Sequence, residues 1–223
     1  LIAVSGQLED AVPQKLAAEF KDIDPMLDYE VELGFVLLED VSKDNLEDEG
    51  FILQLGYFIA NDLSARSIAL LGEGTDKRYE YWGVSKSFPG FTPMSEQIWI
   101  PNQPTSDAIP CIRIETYVNG VQRQSQTTDN MVYTPLEMLR YIHQKYPNTP
   151  LRKGDIVLTG TPGGVAIATP RALVRLSNLL GFDRYKKLSM KLNGDLSAFL
   201  KIGDVVEIRG EGLGTVSNTI VKE

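Results

Sequence analysis

Asn119-Gly120 follows directly on an alternating stretch in which Ile112, Ile114, Thr116 and Val118 share one face at a period of two. The pair supplies the two positive-φ residues of a type I′ turn, so the chain reverses there as a hairpin. Gly154-Asp155 and Gly203-Asp204 are further turns. They introduce strand-like runs at residues 154–161 and 203–208, and 214–221 adds another. Residues 29–38, 96–100 and 109–118 also read as strands, and 51–61 as the end of a helix followed by a buried strand. Helical signals are fewer. Thr134 and Glu137 form a capping box with Pro135 at the first helical position, and Leu136, Leu139 and His143 share the face behind it. Residues 63–71 suit a second helix, 13–20 a short amphipathic stretch, 41–50 an acidic surface segment and 72–81 a charged polar loop. The pattern predicts an α+β, β-rich fold. No internal repeat or clean boundary divides it, so residues 1–223 read as a single domain.

Charge narrows the partners. The 223 residues carry 22 Lys and Arg against 30 Asp and Glu, a net charge of -8. An acidic surface repels phosphate backbones, which argues against nucleic-acid and anionic-membrane partners. The longest apolar run, residues 51–60, is interrupted by Gln54 and Gly56 and falls short of the ~20 residues that span a bilayer. The single cysteine, Cys111, rules out an intrachain disulfide and fits a reducing, cytoplasmic setting. The chain begins at Leu1 rather than Met, so a true N-terminal segment is expected upstream. Residues 166–199 stand apart: six Lys and Arg against two acids make them net +4. Thr169, Pro170, Leu173, Leu176, Leu180 and Gly181 sketch a short capped helix in this basic insertion. It is expected to pack as an amphipathic surface element on an acidic body, with a lid or subunit contact as the alternative.

Chemistry points first to Glu30-Val31-Glu32. On a strand, residues two apart project to one side about 6.6–7 Å apart, so the two carboxylates face one way while Val31, Leu33 and Phe35 face the other. Like charges this close repel unless neutralised. A hard divalent cation neutralises them with oxygen ligands; the alternative is the wet face of an edge strand. Asp62 follows the apolar run 56–61 at an expected strand end, where it is either a third carboxylate or the N-cap of the next helix. Lys86 lies in Val84-Ser-Lys-Ser-Phe88, between Gly83 and Pro89, as a surface residue or as a fixed cation beside the acids. Three carboxylates, one ammonium and one divalent cation sum to zero charge, which permits burial. Cys111 has no local histidine partner, His143 reads as structural, and the glycines of 210–214 read as a hairpin turn rather than a nucleotide loop.

These segments, taken in order, resemble the fumarylacetoacetate hydrolase family. The residues that carry the likeness are Tyr29-Glu-Val-Glu-Leu-Gly34, Gly56-Tyr-Phe-Ile-Ala-Asn-Asp-Leu-Ser-Ala-Arg66, Ser85-Lys-Ser-Phe88, Val118-Asn-Gly120 with Arg123-Gln124, Gly154-Asp-Ile-Val-Leu-Thr-Gly-Thr-Pro162, Gly203-Asp-Val-Val-Glu207 and Gly212-Leu-Gly-Thr-Val216. The resemblance implies a mixed β-sandwich roll, a homodimer and a Mg²⁺ site, with Mn²⁺ or Ca²⁺ as substitutes. It implies Glu30, Glu32 and Asp62 as ligands, Lys86 beside the bound substrate, Thr161 on a substrate carboxylate or carbonyl, and Arg66 as a brace. It further implies a keto-acid substrate of the 1,3-dicarbonyl or 2-oxo class and hydrolysis of a C–C bond. The alternatives are decarboxylation or isomerisation of a 2-oxo or 2-hydroxydienoic acid, or a non-catalytic relic that binds metal or keto acid. Two departures bear on this. The family hydrolases carry a Gly-Arg-Asn-Tyr-like motif with a histidine upstream of the Glu-x-Glu strand, and residues 1–28 hold none. Ser67-Ile68-Ala69 stands where Asp-x-Gln is common.

Overall fold

The computed structural model describes residues 25–72, 75–167 and 196–221. Its strands are β1 (Leu27–Asp28), β2 (Val31–Leu37), β3 (Leu55–Asn61), β4 (Ser64–Ala65), β5 (Arg113–Val118), β6 (Val121–Thr127), β7 (Ile156–Leu158), β8 (Val205–Gly210) and β9 (Gly214–Thr219). The helices are α1 (Lys43–Glu47), α2 (Arg66–Gly72), α3 (Arg78–Lys86) and α4 (Pro135–Lys145). Sheet predominates over helix, as the turn pattern predicts.

The strands form three antiparallel sheets: β1-β4, β3-β2-β7 and β6-β5-β8-β9. Alternation builds the core between the last two. Val31, Leu33, Phe35 and Leu37 of β2 and Leu55, Tyr57 and Ile59 of β3 bury one face, against Ile112 and Ile114 at β5 and Ile208 of β8. Leu136 and Leu139 of α4 close the cluster from the side. At Gly210 the sheets approach so closely that an added Cβ would stand 2.6 Å from Cγ2 of Ile59. A second cluster joins Met26, Tyr29, Leu63, Phe199, Leu200 and Val206, which seats the short β1 beside the end of the large sheet.

Local chemistry explains most element boundaries. Asn119 and Gly120 take φ values of 51° and 77° and turn β5 into β6. Thr134 caps α4 reciprocally with Glu137, and Pro135 opens it. Residues 210–214 are the β8–β9 hairpin turn. Elsewhere the structure differs from expectation. Residues 72–81 are not loop throughout, because α3 starts at Arg78. Within the acidic segment 41–50, Ser42 and Asn45 make a capping box that sequence spacing conceals and starts α1, whose Leu46 reaches the core. Residues 51–54 are not helical. Residues 96–100 form no named strand: Tyr57 and Trp99 exchange backbone bonds and Ser95 bonds Ile59, so four residues on one side span two on β3 and interrupt the ladder. The expected helix at 63–71 begins at Arg66, after β4 has paired with β1. The amphipathic stretch 13–20 and most of the insertion 166–199 lie outside the described residues. Among the described residues, no helix is long and apolar enough to cross a membrane.

Candidate metal centre

Pairing of β2 with β3 sets Val31 opposite Asn61, so the next residues outward, Glu30 and Asp62, face each other. The Asp62 amide donates to the Glu30 carbonyl at 2.8 Å, and the Asn61 side-chain oxygen accepts from the Glu30 amide at 3.0 Å. Glu32 projects on the same side as Glu30, while Val31 between them is wholly buried in the core. One carboxylate oxygen from each of Glu30, Glu32 and Asp62 comes within 4.8 Å of the others. The Asp62 carboxylate is not a helix cap. Its oxygen accepts from Lys86, and the following helix starts four residues later.

Two cations serve this cluster from different helices. Lys86, in the last turn of α3, places Nζ 2.5 Å from Oε2 of Glu30 and 2.8 Å from Oγ of Ser64, besides its bond to Asp62. The ring of Trp82, one helical turn earlier, lies with its centroid 5.6 Å from that nitrogen. Arg66, at the start of α2, donates from Nε to Asp28 at 2.8 Å and from Nη2 to Oε1 of Glu30. Burial pulls the Lys86 ammonium down, but the Asp62 and Glu30 carboxylates outweigh it and raise its pKa, so it stays charged. Burial raises the Asp62 carboxyl despite Lys86 beside it.

Glu32 has no such partner. Among the described residues it accepts only the Gly160 amide, at 2.7 Å. Burial, then the charges of Asp62 and Glu30, push its carboxyl up to about 8. This unbalanced acid tests whether the residues fit a metal. Among the described residues, Asp28, Glu30, Glu32 and Asp62 face Arg66 and Lys86, so with all four acids ionised the cluster is two positive charges short. An all-oxygen donor set with that surplus fits one hard divalent cation.

Thr161 adjoins Gly160 on the loop after β7. Its hydroxyl donates to the Val31 carbonyl at 3.0 Å and accepts from the Gln124 amide nitrogen at 2.9 Å. The Gln124 oxygen in turn accepts from the Val31 amide at 3.1 Å and the Thr116 hydroxyl at 2.8 Å. This network holds the carboxylate-bearing end of β2 against the large sheet. A cleft of about 410 Å³ opens on the other face of β2, lined by Leu33, Met131, Met138 and Tyr133 and sharing Gly160 and Thr161 with the carboxylate side. His143 sits half-buried on α4 and Cys111 is exposed; neither bonds to the cluster.

The structure thus gathers Glu30, Glu32, Asp62, Lys86 and Arg66 in one place and puts Thr161 at its edge. Sequence reasoning passed over Asp28, Asn61, Ser64, Gln124 and Gly160. For Asp28 a signal existed: Asp28, Glu30 and Glu32 recur at period two. Asn61, Gln124 and Gly160 contribute through side-chain amides or a backbone amide and Ser64 through its hydroxyl, which no residue pattern announces.

A family model described as "Fumarylacetoacetate (FAA) hydrolase C-terminal" matches residues 11–221. The chain is 28% identical over 203 residues to "Oxaloacetate tautomerase YisK" of Bacillus subtilis, covering 90% of this chain and 54% of that protein. It is 27% identical over 189 residues to "2,4-didehydro-3-deoxy-L-rhamnonate hydrolase" of a Sphingomonas species, covering 84% and 53%. The solved fumarylacetoacetate hydrolase of Exiguobacterium antarcticum superposes with a TM-score of 0.60 at 26% identity, over 91% of this chain and 59% of that one. The chain therefore spans little more than half the length of these relatives.

Proposed function

The chain belongs to the fumarylacetoacetate hydrolase family, and on that premise we propose that it is a divalent-cation-dependent enzyme that enolises a 2-oxo or 1,3-dicarbonyl acid. Mg²⁺ is the proposed ion, with Mn²⁺ or Ca²⁺ as substitutes, and Glu30, Glu32 and Asp62 would hold it. When bound, such an ion supplies Lewis-acid polarisation of adjacent carbonyl and carboxylate oxygens. The remaining work falls to the protein. Lys86, kept protonated by Asp62 and Glu30, gives its three N–H groups to Glu30, Asp62 and Ser64; the one held by the neutral Ser64 hydroxyl would turn to the substrate oxygen on which negative charge develops. The buried setting strengthens that interaction relative to water. Arg66 holds Glu30 and does not face the substrate. A homodimer belongs to the same proposal.

The observation that carries this reading is the single ammonium anchored between two carboxylates of a cluster that is two positive charges short. Keto–enol isomerisation needs a stabilised oxygen, which Lys86 would provide, and a proton carried from carbon to oxygen, for which water is the acceptor and the donor. The tautomerase relative supports it. C–C bond hydrolysis is the second reading, supported by the hydrolase relative; it shares the stabilised oxygen but also needs a base for water.

The test offers the purified chain enolic oxaloacetate, acetylpyruvate and fumarylpyruvate, with EDTA or with Mg²⁺. Metal-dependent loss of enol absorbance without new acids supports isomerisation. Release of pyruvate with acetate from acetylpyruvate, or with fumarate from fumarylpyruvate, supports hydrolysis instead, whereas pyruvate and CO₂ from oxaloacetate would mark decarboxylation. No turnover with any of them, alongside tight binding of oxalate, would mark a binding protein and overturn the enzymatic reading.

A further inference from the structure

Asp28 is entirely buried, and both of its oxygens are fully engaged. Oδ1 accepts the amides of Tyr29 at 2.9 Å and Ala166 at 2.7 Å. Oδ2 accepts Nε of Arg66 at 2.8 Å and the Ile167 amide at 3.2 Å. The Arg66 guanidinium is planar, so a bond at Nε fixes the direction in which its Nη2 points. That nitrogen donates to Oε1 of Glu30. With Oε1 so taken, Oε2 is the oxygen that meets Lys86 and Ser64 on the cluster side.

We propose that Asp28 is a positioning residue: acting through Arg66, it selects which oxygen of Glu30 faces the cation, and so governs divalent-cation affinity without touching the ion. This rests on the metal reading above. A bare structural role would be different in kind. Asp28 also ties down residues 166–167, and if that were all it did, its loss would lower stability without passing through Arg66. Partners that orient a metal ligand typically contribute about 10- to 100-fold in metal affinity.

The test uses the full chain with Mn²⁺ as probe, measuring affinity by electron paramagnetic resonance, thermal midpoint, and the Nε–H resonance of Arg66 by ¹⁵N NMR. The resonance is assigned by its loss in Arg66→Lys. Asp28→Asn keeps an oxygen for Tyr29 and Ala166 but removes the charged acceptor for Nε. The expected result is Mn²⁺ binding weakened about 10- to 100-fold, with the Arg66 resonance shifted toward that of exposed arginines. In an Arg66→Lys background, where the fork is already gone, Asp28→Asn should change affinity less than about threefold, as expected for residues acting as one unit. Equal losses in both backgrounds, or an unmoved Arg66 resonance, would overturn the proposal. Should Asp28→Asn fail to fold, Arg66→Lys alone decides, since wild-type affinity in that variant overturns it equally. Wild-type protein that binds no Mn²⁺ sinks the metal reading instead, while the Arg66 resonance still supports or overturns the Asp28 clamp.

Discussion

Asp62 and Glu30 are joined through their backbones before their side chains meet: the amide of one donates to the carbonyl of the other at 2.8 Å, at the open ends of β2 and β3. The geometry of the carboxylate cluster is therefore a property of strand register. A slip of one residue would turn Glu30 and Glu32 into the apolar core. Substitutions that leave register intact should accordingly change chemistry without changing fold.

Glu32→Gln should weaken Mn²⁺ binding by more than about 100-fold, beyond what loss of an outer partner costs, and abolish metal-dependent turnover. Isothermal titration with Mn²⁺ and circular dichroism check it. A variant with native spectrum and native affinity would remove Glu32 from the ligand set.

Acidity should act through the same residue. The folded chain holds the Glu32 proton up to about pH 8, whereas an unperturbed glutamate releases it near 4.5. Between those values the folded state binds more protons, so metal-free stability contributed by this group falls as pH rises and is lost by about pH 8. The effect is on the order of a few kcal/mol. Asp62, raised in the same direction, adds to it. Denaturant midpoints in EDTA at pH 5.5 and 8 measure the fall, and subtracting the same pair for Glu32→Gln isolates the Glu32 share. A cation competes with that proton, so Mn²⁺ affinity should climb up to tenfold per pH unit below pH 8, on the order set by one displaced proton.

Lys86→Met separates catalysis from metal binding. Turnover should fall about 10²- to 10³-fold, as when a donor to developing negative charge is removed. Mn²⁺ affinity should hold or tighten, because an ammonium no longer competes for Glu30 and Asp62. Comparing kcat with the Mn²⁺ dissociation constant tests this; parallel losses would contradict it.

Gly210→Ala tests the contact between sheets. The added methyl meets Cγ2 of Ile59 at 2.6 Å and Cβ of Leu213 at 3.1 Å. Overpacking of this kind costs about 1–3 kcal/mol, readable as a lowered urea midpoint with metal affinity retained. An unchanged midpoint would mean that the sheets separate freely at this point.

Periodic and turn-bearing segments were readable from sequence. The alternation through Val118, the Asn119-Gly120 turn and the Thr134 cap each state their geometry within a few residues. That the three carboxylates meet was readable because Glu30 and Glu32 share a strand face and Asp62 follows the end of the partner strand. Elements set by distant contacts were not. The chain at 96–100 looks strand-like, but the stretch it belongs to follows β3 in broken register. The start of α3 at Arg78 is hidden in charged residues, since its N-cap, Lys77, makes no side-chain cap. Gly160 and Gln124 act through amides whose partners lie dozens of positions away.

The residues on either side of 168–195 fasten to one short stretch: Ile167 and Ala166 to Asp28, Gly164 to the Tyr29 hydroxyl, and Leu200 to Leu27. Leu27, Asp28 and Tyr29 thus gather both flanks at the root of the strand that carries Glu30 and Glu32, so a change in this three-residue stretch would disturb the flanks and the carboxylates together.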